Sequence, residues 1–152
     1  MKEKIKEKKS DHGDQSIVNI VKDDLHLKED LNCAESILCA ANEAYAMELP
    51  RSACKLAAGF GGGMGIESVC GVVTGGVMAL SSLFVVDRGH ESDYIKTLTS
   101  EFIEEFYRHY GSLECKVLKE KHRTPLGDCK PIILEGAHIL QKIIEREGRN
   151  IK

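Results

Sequence analysis

Apolar positions recur every three or four residues along most of the chain, and strict alternation is scarce, so the pattern predicts helices rather than strands. Residues 17–28, IVNIVKDDLHLK, fit either a short helix or a strand-like arm. From about 33 to 47, Ala34, Ile37, Leu38, Ala41, Ala44 and Tyr45 form one apolar stripe. Pro50 interrupts it and suits the first turn of a short helix over about 51–58. The next helix, about 68–86, carries Val69, Val73, Val77, Leu80 and Phe84 on one face and Gly71, Gly75, Ala79 and Ser82 on another. Glycine inside a helix costs about 1 kcal/mol relative to alanine. Two of them four residues apart predict a closely packed neighbouring backbone, within the chain or across a homodimer. An amphipathic helix of about 91–110 turns Tyr94, Ile95, Leu98, Phe102, Ile103, Phe106 and Tyr110 inward and stops at Gly111. A short helix of about 113–120 follows, then a last one of about 129–146 with Ile132, Ile133, Ala137, Leu140 and Ile144 on its core face. The expected fold is all-α: a compact bundle of five to six helices with a glycine-rich loop.

That loop, GFGGGMG at residues 59–65, has the look of a phosphate cradle. A dinucleotide fingerprint needs a strand before its glycines, and here the helical stretch SACKLAA precedes them. A Walker loop closes on Gly-Lys-Ser/Thr, whereas this one runs Met64-Gly65-Ile66. The glycines read instead as a helix stop and tight reversal. Their number predicts a backbone passing close to something bulky.

Composition narrows the partners. The 152 residues fit one domain, expected at 15–152 behind a frayed, solvated arm at 1–14. The net charge of −3 supplies no basic field for nucleic acid. No window reaches the roughly 18 apolar residues that a membrane span needs, and no apolar segment follows the Lys/Glu-rich start, so a cytoplasmic protein without membrane insertion is expected. The 6 cysteines are many for such a chain. Without a secretory context they point to metal binding or thiol chemistry rather than a disulfide framework.

Four of the six follow polar residues that suit helix caps. Asn32-Cys33-Ala34-Glu35 is a capping-box variant, with Cys33 first in its helix. Ser68 precedes Cys70, Ser112 precedes Cys115 and Asp128 precedes Cys129, each placing its cysteine in a first turn. Pro131 fits only a helix start. Helix N-termini favour thiolate, the form that binds metals and attacks electrophiles. Cys39 and Cys54 differ: Cys39 lies a turn into its helix, about 240° around from Cys33, and Cys54 has no cap before it.

NCAESIL, then GFGGGMGIESVCGVVTGGVMAL, then a cysteine after an aromatic-rich helix and a last one before a terminal helix, together resemble the C_GCAxxG_C_C family of small redox-active proteins. The resemblance spans about residues 30–146. It implies Cys33, Cys70, Cys115 and Cys129 as the functional set, with Cys70-Gly71-Val72-Val73-Thr74-Gly75 as the central motif. Val72 replaces the usual alanine, which is expected to enlarge the site wall slightly. Related domains in split-Soret-type cytochromes imply a non-haem iron–sulfur centre. This chain has no C-x-x-C-H, so covalent haem is not implied.

The leading expectation is one iron–sulfur cluster on the four cysteines, [2Fe–2S] rather than [4Fe–4S], with backbone amides of Gly61, Gly62, Gly63 and Gly71 toward its sulfurs. Its role would be electron transfer or redox sensing with a redox partner. The intervals of 36, 44 and 13 residues between these cysteines match no ferredoxin spacing. Two alternatives stay open: metal-free thiol/disulfide or persulfide chemistry, with Cys70 as nucleophile, and a structural zinc site, against which the lack of close cysteine pairs counts. Of the 6 histidines, His138 is the best candidate for a buried imidazole, while His26, His90 and His122 read as exposed. Glu101, Glu104 and Glu105 read as a solvated helix face.

Overall fold

A computed structural model describes residues 15–150. The arm expected at 1–14 lies outside the described residues. Among those described, eight α-helices occur and no strand: α1 (Ile17–Lys22), α2 (Leu25–Lys28), α3 (Cys33–Tyr45), α4 (Arg51–Cys54), α5 (Gly71–Phe84), α6 (Tyr94–Tyr110), α7 (Cys115–His122) and α8 (Lys130–Asn150). Two of the eight are single turns of four residues, which a periodicity of 3.6 cannot register. The ambiguous segment 17–28 folds as α1 and α2, and α1 buries Ile17, Val18, Ile20 and Val21.

α5 is the central element, packed by α3, α6 and α8, while α1 closes the bundle against α8 and α3. The close approach expected from its glycines is made within the chain. A Cβ on Gly75 would stand 2.4 Å from the Ala34 carbonyl oxygen of α3. On the α6 side, a Cβ on Gly76 would meet the Phe102 ring at the same distance. Phe102, Phe106, Leu80, Ile37 and Leu140 fill the space between the helices and are fully buried. Each contributes about 1.5–3 kcal/mol of hydrophobic stabilisation.

The expected helix starts shift inward at four places, among them α7, which begins at Cys115 rather than near 113. α5 begins at Gly71 rather than near 68, because Val69 pairs in an antiparallel bridge with Glu114 and holds the preceding chain extended. α6 begins at Tyr94, after a separate turn at Gly89–Glu91. α8 begins at Lys130, since the Cys129 carbonyl accepts from Ile132 and Ile133 and so occupies the capping position. The stop at Gly111 is as expected: its φ is 71° and its amide donates to the Tyr107 carbonyl.

Candidate four-cysteine site

Three local structures deliver four sulfurs to one place. Asn32 caps α3 through a complete capping box with Glu35, which fixes Cys33 as the first helical residue. The Cys70 amide donates to the Leu113 carbonyl at 2.8 Å and the Cys115 amide to the Ser68 carbonyl at 2.6 Å. This pairing across the Val69–Glu114 bridge sets Cys70, before α5, beside Cys115, first in α7. The third structure is the loop from Arg123 to Asp128, closed by Gly127 and Asp128 amides donating to the Thr124 carbonyl and hydroxyl oxygens. It presents Cys129.

Ser68 does not cap as expected, whereas the Asp128 side chain does bond a first-turn amide. Ser68 spends its backbone on Cys115, and Asp128 accepts from the Lys130 amide at 2.9 Å. Ser112 accepts from the Glu114 amide, one residue short of α7. All four cysteines nevertheless stand at helix starts and line one cavity of about 420 Å³.

The expected glycines divide. Gly62 and Gly71 line the cavity. Gly61 and Gly63 act behind it: a Cβ on Gly61 would strike Asn32, and one on Gly63 would meet the Ser68 amide at 2.4 Å and Cys115 Cβ at 2.8 Å. Gly63 also holds φ at 62°, in the left-handed region. It is the position where a tight reversal and a close approach coincide. Val72 corrects the expectation of an enlarged site wall. It turns away from the cavity and is fully buried, its Cγ1 filling the space where a Cβ on Gly136 of α8 would lie.

The sulfurs are electrostatically unequal. Cys33 and Cys129 act more strongly on each other than on the other two sulfurs. The thiol of Cys33 and the Arg123 guanidinium, whose Nε is 3.3 Å from Cys129 Sγ, both hold the Cys129 thiol below its usual range. The same interaction and burial push Cys33 up. Burial raises Cys70 to about 11, opposed by the Val72 and Val73 amides that face its sulfur. These amides favour the thiolate without closing a capping hydrogen bond of standard geometry. Burial also raises Cys115, with Lys119 pulling the other way.

Sequence reasoning missed His26, Arg123 and Lys119 as parts of the wall. His26, read as exposed, is 8% exposed, with Nε2 at 3.0 and 3.1 Å from the two Asp128 carboxylate oxygens. Its signal lay 102 residues away in sequence, beyond any local pattern. His138, expected as the best candidate for a buried imidazole, is exposed and lies outside the cavity. Cys39 and Cys54 do not reach the cavity either. Among the described residues, no three His, Cys, Asp or Glu side chains converge on a single metal position as they stand.

A model of the family described as "Putative redox-active protein (C_GCAxxG_C_C)" matches residues 31–143. The chain belongs to the C_GCAxxG_C_C family. All four cysteines of the cavity fall within the matched stretch, as does the whole glycine loop. No curated protein and no solved structure matches the chain. Redox activity is therefore the family-level description of this C_GCAxxG_C_C protein. No helix among the described residues is long and apolar enough to cross a membrane.

Proposed function

We propose that Cys33, Cys70, Cys115 and Cys129 hold an iron–sulfur cluster, [2Fe–2S] rather than [4Fe–4S], for electron transfer or redox sensing. The observation that carries this reading is the convergence of four thiols, from four helix starts, on one cavity. Four cysteines are the standard donor set of such clusters, which supply one-electron exchange when bound. Cys33 and Cys129 act most strongly on each other, and the backbone pairing across the Val69–Glu114 bridge brings the Cys70 and Cys115 segments together. A two-iron centre takes two thiolates on each iron and suits that arrangement. A zinc site would need all four around one point at about 2.3 Å. Arg123 and Lys119 would offset the negative charge of the thiolates. The Gly62 and Gly71 backbones line the space where amides could tune a potential.

A second reading rests on one specific interaction. The Cys33 thiol with a Cys129 held toward thiolate by Arg123 is a competent pair for metal-free thiol–disulfide exchange.

Anaerobic purification with absorbance and metal analysis separates the two. The cluster reading expects a brown protein with visible charge-transfer bands and about two irons per chain. Cys70→Ser should lose the colour, while Cys39→Ser and Cys54→Ser keep it. A colourless, metal-free protein whose thiol titre falls on oxidation, with Cys33 cross-linked to Cys129, would favour the dithiol. Stoichiometric zinc would overturn both.

A further inference from the structure

Cys39 and Cys54 lie outside the cavity, yet the helices that carry them pack together and the Cys54 thiol acts electrostatically on Cys39. Their proximity is built by the chain between them. Asn42, one turn after Cys39 on α3, accepts from the Leu49 amide at 3.0 Å and donates to the Leu49 carbonyl at 3.3 Å. Its Nδ2 also lies 3.9 Å from Cys54 Sγ. The connection back to α4 is tight, with Ala46 and Glu48 in left-handed conformations at φ 44° and 60°. One asparagine thus clamps the loop and lays the end of α4 on the Cys39 face of α3. Cys39 is partly exposed and Cys54 is buried, 5% exposed.

We propose that Cys39 and Cys54 form a second dithiol, oxidised to an intramolecular disulfide by exchange with a low-molecular-weight disulfide such as glutathione disulfide. The accessible Cys39 thiolate attacks one sulfur of the small disulfide. That S–S bond breaks, a mixed disulfide forms on Cys39, and the departing thiolate takes up a proton. Cys54, held nearby by the Asn42 clamp, then attacks the Cys39 sulfur. The protein S–S bond forms, the second small thiol leaves and takes the proton given up by Cys54. Two electrons pass from the two cysteines to the small disulfide, which is reduced to two thiols.

The disulfide would staple α4 to α3. From Cys54 the chain runs through the turn Lys55–Phe60 to Gly62 in the cavity wall, and α3 begins at Cys33. Oxidation would therefore fix one side of the four-cysteine cavity without using any of its sulfurs. Burial and the neighbouring thiol hold Cys39 above its ordinary range, against the pull of Arg51. Thiols of low acidity attack slowly and form disulfides that resist reduction. The exchange should accordingly speed up between about pH 7 and about pH 9 as thiolate accumulates.

The test uses the full chain, reduced and then equilibrated anaerobically with graded ratios of reduced glutathione to glutathione disulfide. Acid trapping, alkylation and peptide mapping follow. Cleavage after Glu35 as well as after Lys and Arg separates Cys33 from Cys39. The expected product is a Cys39–Cys54 cross-linked peptide, lighter by two hydrogens, at the same glutathione ratio in the wild type and in Cys129→Ser. Cys54→Ser should stop at glutathione on Cys39, while Cys39→Ser should leave Cys54 unmodified. Free alkylation of both residues at every ratio, glutathionylation without a cross-link in the wild type, or a cross-link that vanishes in Cys129→Ser would each overturn the proposal. None of these readouts depends on iron, so the outcome stands apart from that of the cluster reading.

Discussion

At the scale of single residues, the contact between Val72 and Gly136 ties the central motif to the last helix. Val72 Cγ1 lies 2.1 Å from where a Gly136 Cβ would be. The two positions form a lock of one large and one absent side chain. Gly136→Ala should destabilise the protein by about 1–3 kcal/mol through overpacking, even though alanine is the better helix former. Val72→Ala in the same chain should restore most of that loss, giving a coupling of about 0.5–3 kcal/mol in a urea double-mutant cycle. Independent, additive effects would show that the contact is not the cause. This pairing was not legible in the sequence, where the valine reads only as a larger wall. The residues are 64 apart, and only the crossing of α5 and α8 brings them together.

At the scale of elements, helix interiors were legible and their starts were less so. The apolar faces of α3, α6 and α8 follow their 3.6-residue periods, as Leu98, Phe102 and Phe106 illustrate. The Asn32–Glu35 capping box is legible because both partners are local. Ser68 failed as a cap because its backbone is committed to a non-local partner, Cys115. The segment before α6 shows the same competition. Glu91 accepts from the amides of Val86, Asp87 and Arg88 at 2.9, 2.9 and 3.2 Å, so residues 86–91 curl around one carboxylate and the helix starts late. Those amides hold the Glu91 carboxyl below the usual carboxylate range. A carboxyl depressed on folding contributes stability that is present above its unfolded pKa and lost as pH falls through the folded value. Hydrogen-exchange protection of the three amides should fall as the solution is acidified below about pH 4. In Glu91→Gln, protection should be weaker at neutral pH and insensitive to that acidification. A wild-type profile that is flat across the same range would remove the carboxylate from the account.

At the scale of the whole molecule, the bundle is arranged so that α3, α5, α7 and α8 all begin around one cavity. Which cysteines line the cavity together was legible, because polar residues that suit helix starts precede all four. How the starts face one another was not, because it depends on the close α3–α5 approach at Gly75 and on the Val69–Glu114 bridge. A group held by all four starts would cross-link the bundle at a single point. Any ligand bound only by the folded form adds to its stability by mass action. The anaerobically purified protein should therefore unfold at higher urea than the same chain stripped of metal and kept reduced. Equal midpoints would mean that the four sulfurs carry no shared load.

One wall of the cavity belongs to a stretch that the family match does not reach. The match begins at residue 31, while His26 and Leu27 line the space from before it and His26 lies against Asp128 beside Cys129. A chain trimmed to the matched stretch would keep every cysteine and lose part of the doorway. The shared signature thus accounts for what the site is made of. Two residues upstream of it complete the wall, so the shape of the space is not fixed by the signature alone.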